Sequence, residues 1–258
     1  MTISVIIPSR LANPFDKERL CLEDAIPSIR QQTGLEGASV QIIVGIDAGA
    51  TVPERVRHLA EFVHSEGHGA AAAINAAARE AAGEFLAFLM DDDIWYPTFL
   101  ETALRALREA DFVSSTALEL DTNGTIVRIN DFPIISGWAM KRSLFERVGD
   151  FDERRLDHSD NEWLGRLGDV ARSRIHLVES TAPIDASWIP RIRPWLETLL
   201  TNAKPTPRLL RHQSPLPLVA TRLFPASTMG QLATDEKRRA ESNEAIANLI
   251  NRFGRIPW

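Results

Sequence analysis

Three consecutive aspartates, Asp91, Asp92 and Asp93, stand directly after the apolar run Phe85 to Met90 and ahead of Ile94-Trp95-Tyr96-Pro97. Carboxylates this close repel one another, so at the end of a buried strand they need a cation, hydrogen-bond donors or open water. Their oxygens suit Mg²⁺ or Mn²⁺, and Mg²⁺ is commonly held by one or two carboxylates together with substrate phosphates. The run is therefore a candidate divalent-metal site, and a metal there implies a phosphorylated ligand. A solvated turn is the competing reading, because Asp favours helix N-termini and Pro97 suits a first helical turn. On local grounds the two readings weigh evenly.

The frame that must position these residues is bounded by composition. A chain of 258 residues with 44% hydrophobic content supports one main domain with an appendage. The single cysteine, Cys21, excludes an intramolecular disulfide, and no Cys/His cluster has zinc spacing, which points to a reducing compartment. The N-terminus starts at once with a strand-like Ile3 to Pro8 and has no basic region followed by a long apolar stretch, so export is not expected. No apolar run reaches the length of a membrane span.

Net charge is −6, unevenly spread: residues 188–258 carry 11 Lys/Arg against 5 Asp/Glu, and residues 1–187 carry 18 against 30. A basic tail can face phosphate, an acidic partner or an anionic membrane, or simply balance an acidic body. An acidic front and few aromatics argue against nucleic acid.

Strand and helix patterns alternate along the front of the chain. Ile3 to Pro8 reads as a buried strand and Leu20 to Gln32 as a helix interrupted by Pro27. Val40 to Ile46 reads as a strand and Pro53 to Val63 as a helix, with Val56, Leu59, Ala60 and Val63 on one face. An alanine-rich helix over Ala70 to Ala82, ended by Gly83, precedes a strand over Phe85 to Met90 and a helix over Tyr96 to Glu109. Phe112 to Leu120 and Ile126 to Ile129 read as strands paired around Asn123-Gly124. Lys141 to Val148 and Asp160 to Leu167 follow as helices and Arg174 to Glu179 as a strand. From Pro190 onward Pro194, Pro205, Pro207, Pro215, Pro217 and Pro225 break the pattern, until an amphipathic helix over Asp235 to Phe253. The expected fold is α/β, a Rossmann-like, mostly parallel sheet flanked by helices, with a C-terminal helical or irregular appendage. Ligands of such sheets collect at the carboxyl ends of strands, where Ser9, Asp47 and the aspartates all fall.

Ser4-Val5-Ile6-Ile7-Pro8-Ser9, Ala25 to Thr33, Ile42 to Asp47, Gly69 to Asn75, Ala82-Gly83-Glu84-Phe85, the acidic run through Pro97, and Lys141 to Phe145 with Val148 to Glu153 occur in this order. Together they resemble the family 2 glycosyltransferases, inverting nucleotide-sugar enzymes of GT-A fold, from about Ile3 to Leu167. The resemblance implies that Pro8, Ser9 and Arg10 line a nucleotide pocket and that Asp47 accepts a hydrogen bond from the donor base. It also implies a substrate-side place for Asn75, Asp91 beside the ribose, and Asp92 on the metal with Asp93 as a further ligand. The family carries an aspartate where this chain has Met90, which leaves open whether Asp91, Asp93 or both share the metal. Ser159 to Arg166 is similar to the family's Glu-Asp segment ending in arginine, so Asp160 takes the place of the catalytic base, with Glu162 in reserve. Ser159 replaces the glutamate neighbour, and by local sequence alone Asp160 reads as a helix N-cap. Trp138, after Ser136-Gly137, is a candidate for stacking on a sugar, or a core residue.

The implied organisation is a GT-A domain over residues 1–187, with a donor half at 1–120 and an acceptor half at 121–187, followed by a basic extension at 188–258. The implied reaction moves sugar from a nucleotide diphosphate sugar, UDP-sugars foremost, to a hydroxyl of a glycan or lipid-linked acceptor with Mn²⁺ or Mg²⁺, as in polysaccharide biosynthesis. The expected location is cytoplasmic, with peripheral contact at the inner face of the membrane through the basic extension; assembly as a homo-oligomer stays open. Two alternatives stand: a catalytically degenerate domain that binds a nucleotide sugar or a partner, and a sugar nucleotidyltransferase. The loop Pro8 to Asn13 lacks the glycines expected of the latter.

Overall fold

The computed structural model describes residues 1–13, 16, 18–155, 157–179, 209–214, 217–224, 231–232, 234–255 and 257. Its strands are β1 (Thr2–Ser9), β2 (Ser39–Ile46), β3 (Glu61–His64), β4 (Phe85–Phe88), β5 (Ile94–Trp95), β6 (Phe112–Ser115), β7 (Ala117–Leu120), β8 (Ile126–Asn130), β9 (Ala139–Lys141), β10 (Arg174–Glu179), β11 (Leu209–Ser214) and β12 (Val219–Arg222). The α-helices are α1 (Leu22–Arg30), α2 (Glu54–Arg57), α3 (Ala70–Arg79), α4 (Phe99–Ala106), α5 (Arg142–Val148), α6 (Ser159–Val170) and α7 (Glu236–Phe253). The main sheet runs β11-β10-β6-β9-β4-β1-β2-β3 and is parallel except where β9 lies between β4 and β6. A second sheet runs β5-β12-β7-β8.

Central strands of a parallel sheet are covered on both faces and so read as continuous apolar runs. In β1, Val5 and Ile7 enter one core with α1 and α4, whereas Ile6 enters the other with α3, α5 and α6. The alanines of α3 let it settle closely on the sheet. A Cβ at Gly45 would lie 2.0 Å from the carbonyl oxygen of Ala73, so β2 has no side chain at that approach.

Several expectations need correction. The spacing of Pro53 to Val63 predicts one helix, but only α2 forms, and Glu61–His64 pairs in parallel with β2 as the edge strand β3. Phe62 and Val63 favour a pleated edge, and the apolar side chains at Val56 and Leu59 pack against the core without a continuous helix. Phe112 to Leu120 splits at Thr116, so that β6 stays in the main sheet and β7 turns into the hairpin with β8. Gly83 does not cap α3, which ends at Glu80; a Cβ at Gly83 would lie 2.5 Å from the Ser4 backbone nitrogen.

Within residues 188–258, β11 lies at the edge of the main sheet, β12 joins the second sheet, and α7 packs on α6. The 187/188 boundary and Pro190, Pro194, Pro205, Pro207, Pro215 and Pro225 lie outside the described residues. Among the described residues no helix is long and apolar enough to cross a membrane.

Candidate active site

The carboxyl ends of β1, β2 and β4 open on one cavity of about 350 Å³, lined among others by Pro8, Ser9, Arg10, Asp47, Asp91 and Asp92. Each strand exit contributes a polar group: Ser9 at the last residue of β1, Asp47 directly after β2, and Asp91 in the turn that follows β4. Ser9 Oγ donates to Asp91 Oδ2 at 2.6 Å and accepts the Leu11 N–H at 3.0 Å. That bond accompanies a left-handed Leu11 (φ 53°), a conformation that costs a non-glycine residue about 1–2 kcal/mol. Asp47 Oδ1 accepts the N–H of Gly69 at 2.7 Å, and Gly69, at φ 92°, is the residue that leads into α3. Gly69, Ala70 and Ala73 also line the cavity, and the first turn of α3 contains no acid. A helix N-terminus so placed favours negative charge in the cavity.

The three aspartates part company. Asp91 and Asp92 face the cavity, half-buried, whereas Asp93 is buried. Asp93 accepts from Ser136 Oγ, and its other oxygen meets the Arg222 backbone N–H at 3.4 Å. Ser136 Oγ also accepts the Met90 N–H at 3.0 Å, so one serine braces the turn on both sides. The aspartates form a turn ahead of β5, and α4 begins at Phe99 with Thr98 as its N-cap, so none of them caps that helix; the turn itself is common to the metal and solvated-turn readings.

Burial, with the charge of Asp92, lifts the Asp91 carboxyl to about 7. Burial raises Asp92 as well, offset in part by the charges of Arg222 and Arg10. Asp93 is pushed up by burial and by Asp92. Two carboxyl groups turned into one cavity offer the oxygen donors that a hard divalent cation takes. Among the described residues no three His, Cys, Asp or Glu side chains form a cage by themselves, so Asp91 and Asp92 would need ligand oxygens to complete a coordination shell. Asp93, already occupied by Ser136 and Arg222, does not line the cavity.

The other predicted residues fall elsewhere. Asn75 is buried on α3, where Nδ2 donates to the Phe151 carbonyl (3.0 Å) and to Glu153 Oε1 (2.8 Å), and Oδ1 accepts the Phe151 N–H (2.8 Å). It ties the segment that leads into α6 to the helix whose start lines the cavity. Trp138 has no exposed surface: it packs among Phe88, Phe112, Phe151 and Trp163, and its indole N–H donates to Pro133 O. It is a core residue and presents no face to a sugar.

Asp160 sits in the first turn of α6, where Oδ1 accepts the Asn161 N–H at 2.8 Å; the N-cap is His158, in left-handed conformation. Burial raises the Asp160 carboxyl, against the lowering effect of the bond from the Asn161 N–H. Glu162 is buried and gripped by Arg166 (2.9 Å) and Arg252 (3.0 Å), which spends it on ion pairs.

Cys21, Phe224 and Arg222 are not among the predicted site residues. Cys21 lines the cavity, and burial pushes its thiol up to about 12, so it stays protonated. Phe224 lines the cavity and Arg222 backs the aspartate turn, both brought in by β12 from far along the chain. Their only sequence signal is the return of apolar Leu218 to Ala220 after the prolines.

A mostly parallel sheet whose strand exits converge on a carboxylate-bearing cavity is the arrangement of a ligand-binding α/β domain. The family model described as glycosyl transferase family 2 matches residues 4–155, more than half of the chain, and the chain belongs to that family of glycosyltransferases. S. aureus TarS 1–349 in complex with UDP superposes with TM-score 0.57 at 16% identity, over 98% of this chain and 71% of that one. A longer S. aureus TarS structure gives 0.56 at 15% identity over 98% of this chain, which spans only 43% of that one. The mannosyltransferase PcManGT from Pyrobaculum calidifontis, in complex with GDP-Man and Mn²⁺, gives 0.52 at 19% identity over 80% of this chain and 65% of that one. These likenesses show a shared fold. No curated protein matches the sequence.

Proposed function

We propose that the chain is an inverting glycosyltransferase that moves a sugar from a nucleotide diphosphate sugar, UDP-sugars foremost, to a hydroxyl of a glycan or lipid-linked acceptor. The observation that carries this reading is the meeting of Pro8, Ser9, Arg10, Asp47, Asp91 and Asp92 around one cavity at the strand exits. Structures of the same fold described with UDP, UDP-GlcNAc and GDP-Man support it.

In this reading the loop after β1 and Asp47 hold the nucleoside, and Arg10 with the start of α3 meets the diphosphate charge. Asp92, with Asp91, would hold Mn²⁺ or Mg²⁺, which when bound supplies positive charge for a departing diphosphate. Asp160 takes the proton from the acceptor hydroxyl as that oxygen attacks the anomeric carbon. Its raised pKa makes it a stronger base than an exposed aspartate, and such a base typically contributes a factor on the order of a hundred to ten thousand. The division into donor half, acceptor half and basic extension is part of the same proposal, as is a cytoplasmic site of action. So is contact of residues 188–258 with anionic lipid, which co-sedimentation with vesicles of varied anionic content tests.

Met90 and Ser159 favour a second reading, a nucleotide-sugar-binding protein without turnover. Release of nucleoside diphosphate from a panel of UDP- and GDP-sugars, with glycan and lipid-linked acceptors, separates the two. Turnover that Asp160→Asn abolishes supports the transferase; binding without turnover in the wild-type chain supports the second reading.

A further inference from the structure

The first turn of α6 is held from outside by α7, which lies on the far side of the donor cavity's machinery in sequence. His158 enters α6 with φ 59°, and its ring makes two bonds: Nδ1 to Asn161 Oδ1 at 2.9 Å and Nε2 to Ser242 Oγ at 2.7 Å. A left-handed histidine needs such local fixing, since that conformation is uncommon for a residue with a Cβ. One residue earlier, Asp157 Oδ1 meets Arg238 Nη2 at 3.3 Å. One turn later, Glu162 Oε1 meets Arg252 Nη1 at 3.0 Å. The helices approach closely enough to require a notch: a Cβ at Gly165 would lie 2.2 Å from the Phe253 ring. Asp160 therefore lies between residues that α7 fixes on either side.

We infer that α7 positions Asp160: Ser242 acting through His158, and Arg252 acting through Glu162, set the first turn of α6 and with it the place of the carboxylate. This rests on the reading of Asp160 as the base. Neither Ser242 nor Arg252 is a catalytic residue; each acts through another. The arrangement also gives the Glu162 carboxylate a purpose other than proton transfer, because a carboxylate shared by two arginines is a structural tie.

The test compares Ser242→Ala, Ser242→Thr and Arg252→Gln with the wild-type chain and Asp160→Asn. Three quantities are read: kcat for nucleoside diphosphate release from the UDP- and GDP-sugar panel, Kd for UDP and GDP with Mn²⁺, and amide exchange across α6. Misplacing a catalytic group can cost on the order of a hundredfold, so Ser242→Ala should lower kcat by roughly tenfold to a hundredfold. It should leave the UDP or GDP Kd unchanged and speed exchange at residues 159–162 while β1 and β4 stay protected. Ser242→Thr keeps the hydroxyl and should restore kcat. Arg252, whose side chain is 51% exposed, gives a variant that keeps the core intact and should show the same split if Ser242→Ala fails to fold. Wild-type kcat in Ser242→Ala or in Arg252→Gln, with Asp160→Asn inactive, overturns the positioning role alone. Wild-type turnover in Asp160→Asn, or no turnover in the wild-type chain, overturns the base assignment and the inference with it.

Discussion

Arg222 Nε donates to the carbonyl oxygen of Asp92 at 2.5 Å, joining residues 130 positions apart. The same guanidinium reaches Asp24 Oδ2 at 3.1 Å, so β12 brings a cation to the back of an acidic turn. Replacing Arg222 with Ala should lower stability by about 1–3 kcal/mol, the range for stranding hydrogen-bonded charged partners. It should also weaken nucleoside diphosphate binding. Denaturant midpoints and UDP titration check both, and an unaltered midpoint contradicts the bracing role.

The Asp91 carboxyl stands at about 7 against an ordinary 3.8, through burial and the charge of Asp92. The folded chain therefore keeps a proton that the unfolded chain releases. Stability should fall as pH rises from about 4 to about 7, and the loss should be complete above that. Asp91→Asn removes the titration, so the variant should lose less stability than wild type between these limits. Equal pH slopes for the two proteins in metal-free buffer contradict this account.

Asp160 and Glu162 should separate by what their loss harms. Asp160→Asn should reduce kcat by a factor on the order of a hundred to ten thousand and leave UDP binding intact. Glu162→Gln loosens two arginines, at a stability cost of about 1–3 kcal/mol, and lowers kcat only by the roughly tenfold to hundredfold of a misplaced base. Because burial raises the Asp160 pKa, the acid limb of the kcat profile should lie above the ordinary aspartate range. A profile flat through that region, or equal kcat losses in the two variants, goes against the assignment.

Trp138→Ala should behave as a core deletion, lowering stability by about 3–5 kcal/mol. A change in acceptor KM without any loss of melting temperature contradicts its placement among Phe88, Phe112, Phe151 and Trp163.

What the sequence disclosed follows from physics that is local. The inner stretches Val5 to Ile7 in β1, Ile43 to Val44 in β2 and Leu86 to Phe88 in β4 are apolar because both faces are covered, and the strand exits are marked by Ser9, Asp47 and Asp91. β3 was hidden because Val56, Leu59, Ala60 and Val63 fit a helical face equally well, and only pairing with β2 decides between the two. Which aspartate faces the cavity depends on Ser136 and Arg222, and neither lies near the run in sequence. The same holds for Phe224 at the cavity and for the grip of α7 on α6: contacts made across 81 residues or more leave no periodicity to read.

The central claim is that the cavity between Ser9, Asp47, Asp91 and Asp92 holds a nucleoside diphosphate with a divalent cation. Thermal unfolding with UDP, GDP, ADP and CDP, each with and without Mn²⁺, measures it directly. One nucleotide, in the presence of Mn²⁺, should stabilise the wild-type chain by about 2.7 kcal/mol at a hundred times its Kd, and Asp92→Ala should abolish that gain. No shift with any nucleoside diphosphate, or an equal shift in Asp92→Ala, contradicts it.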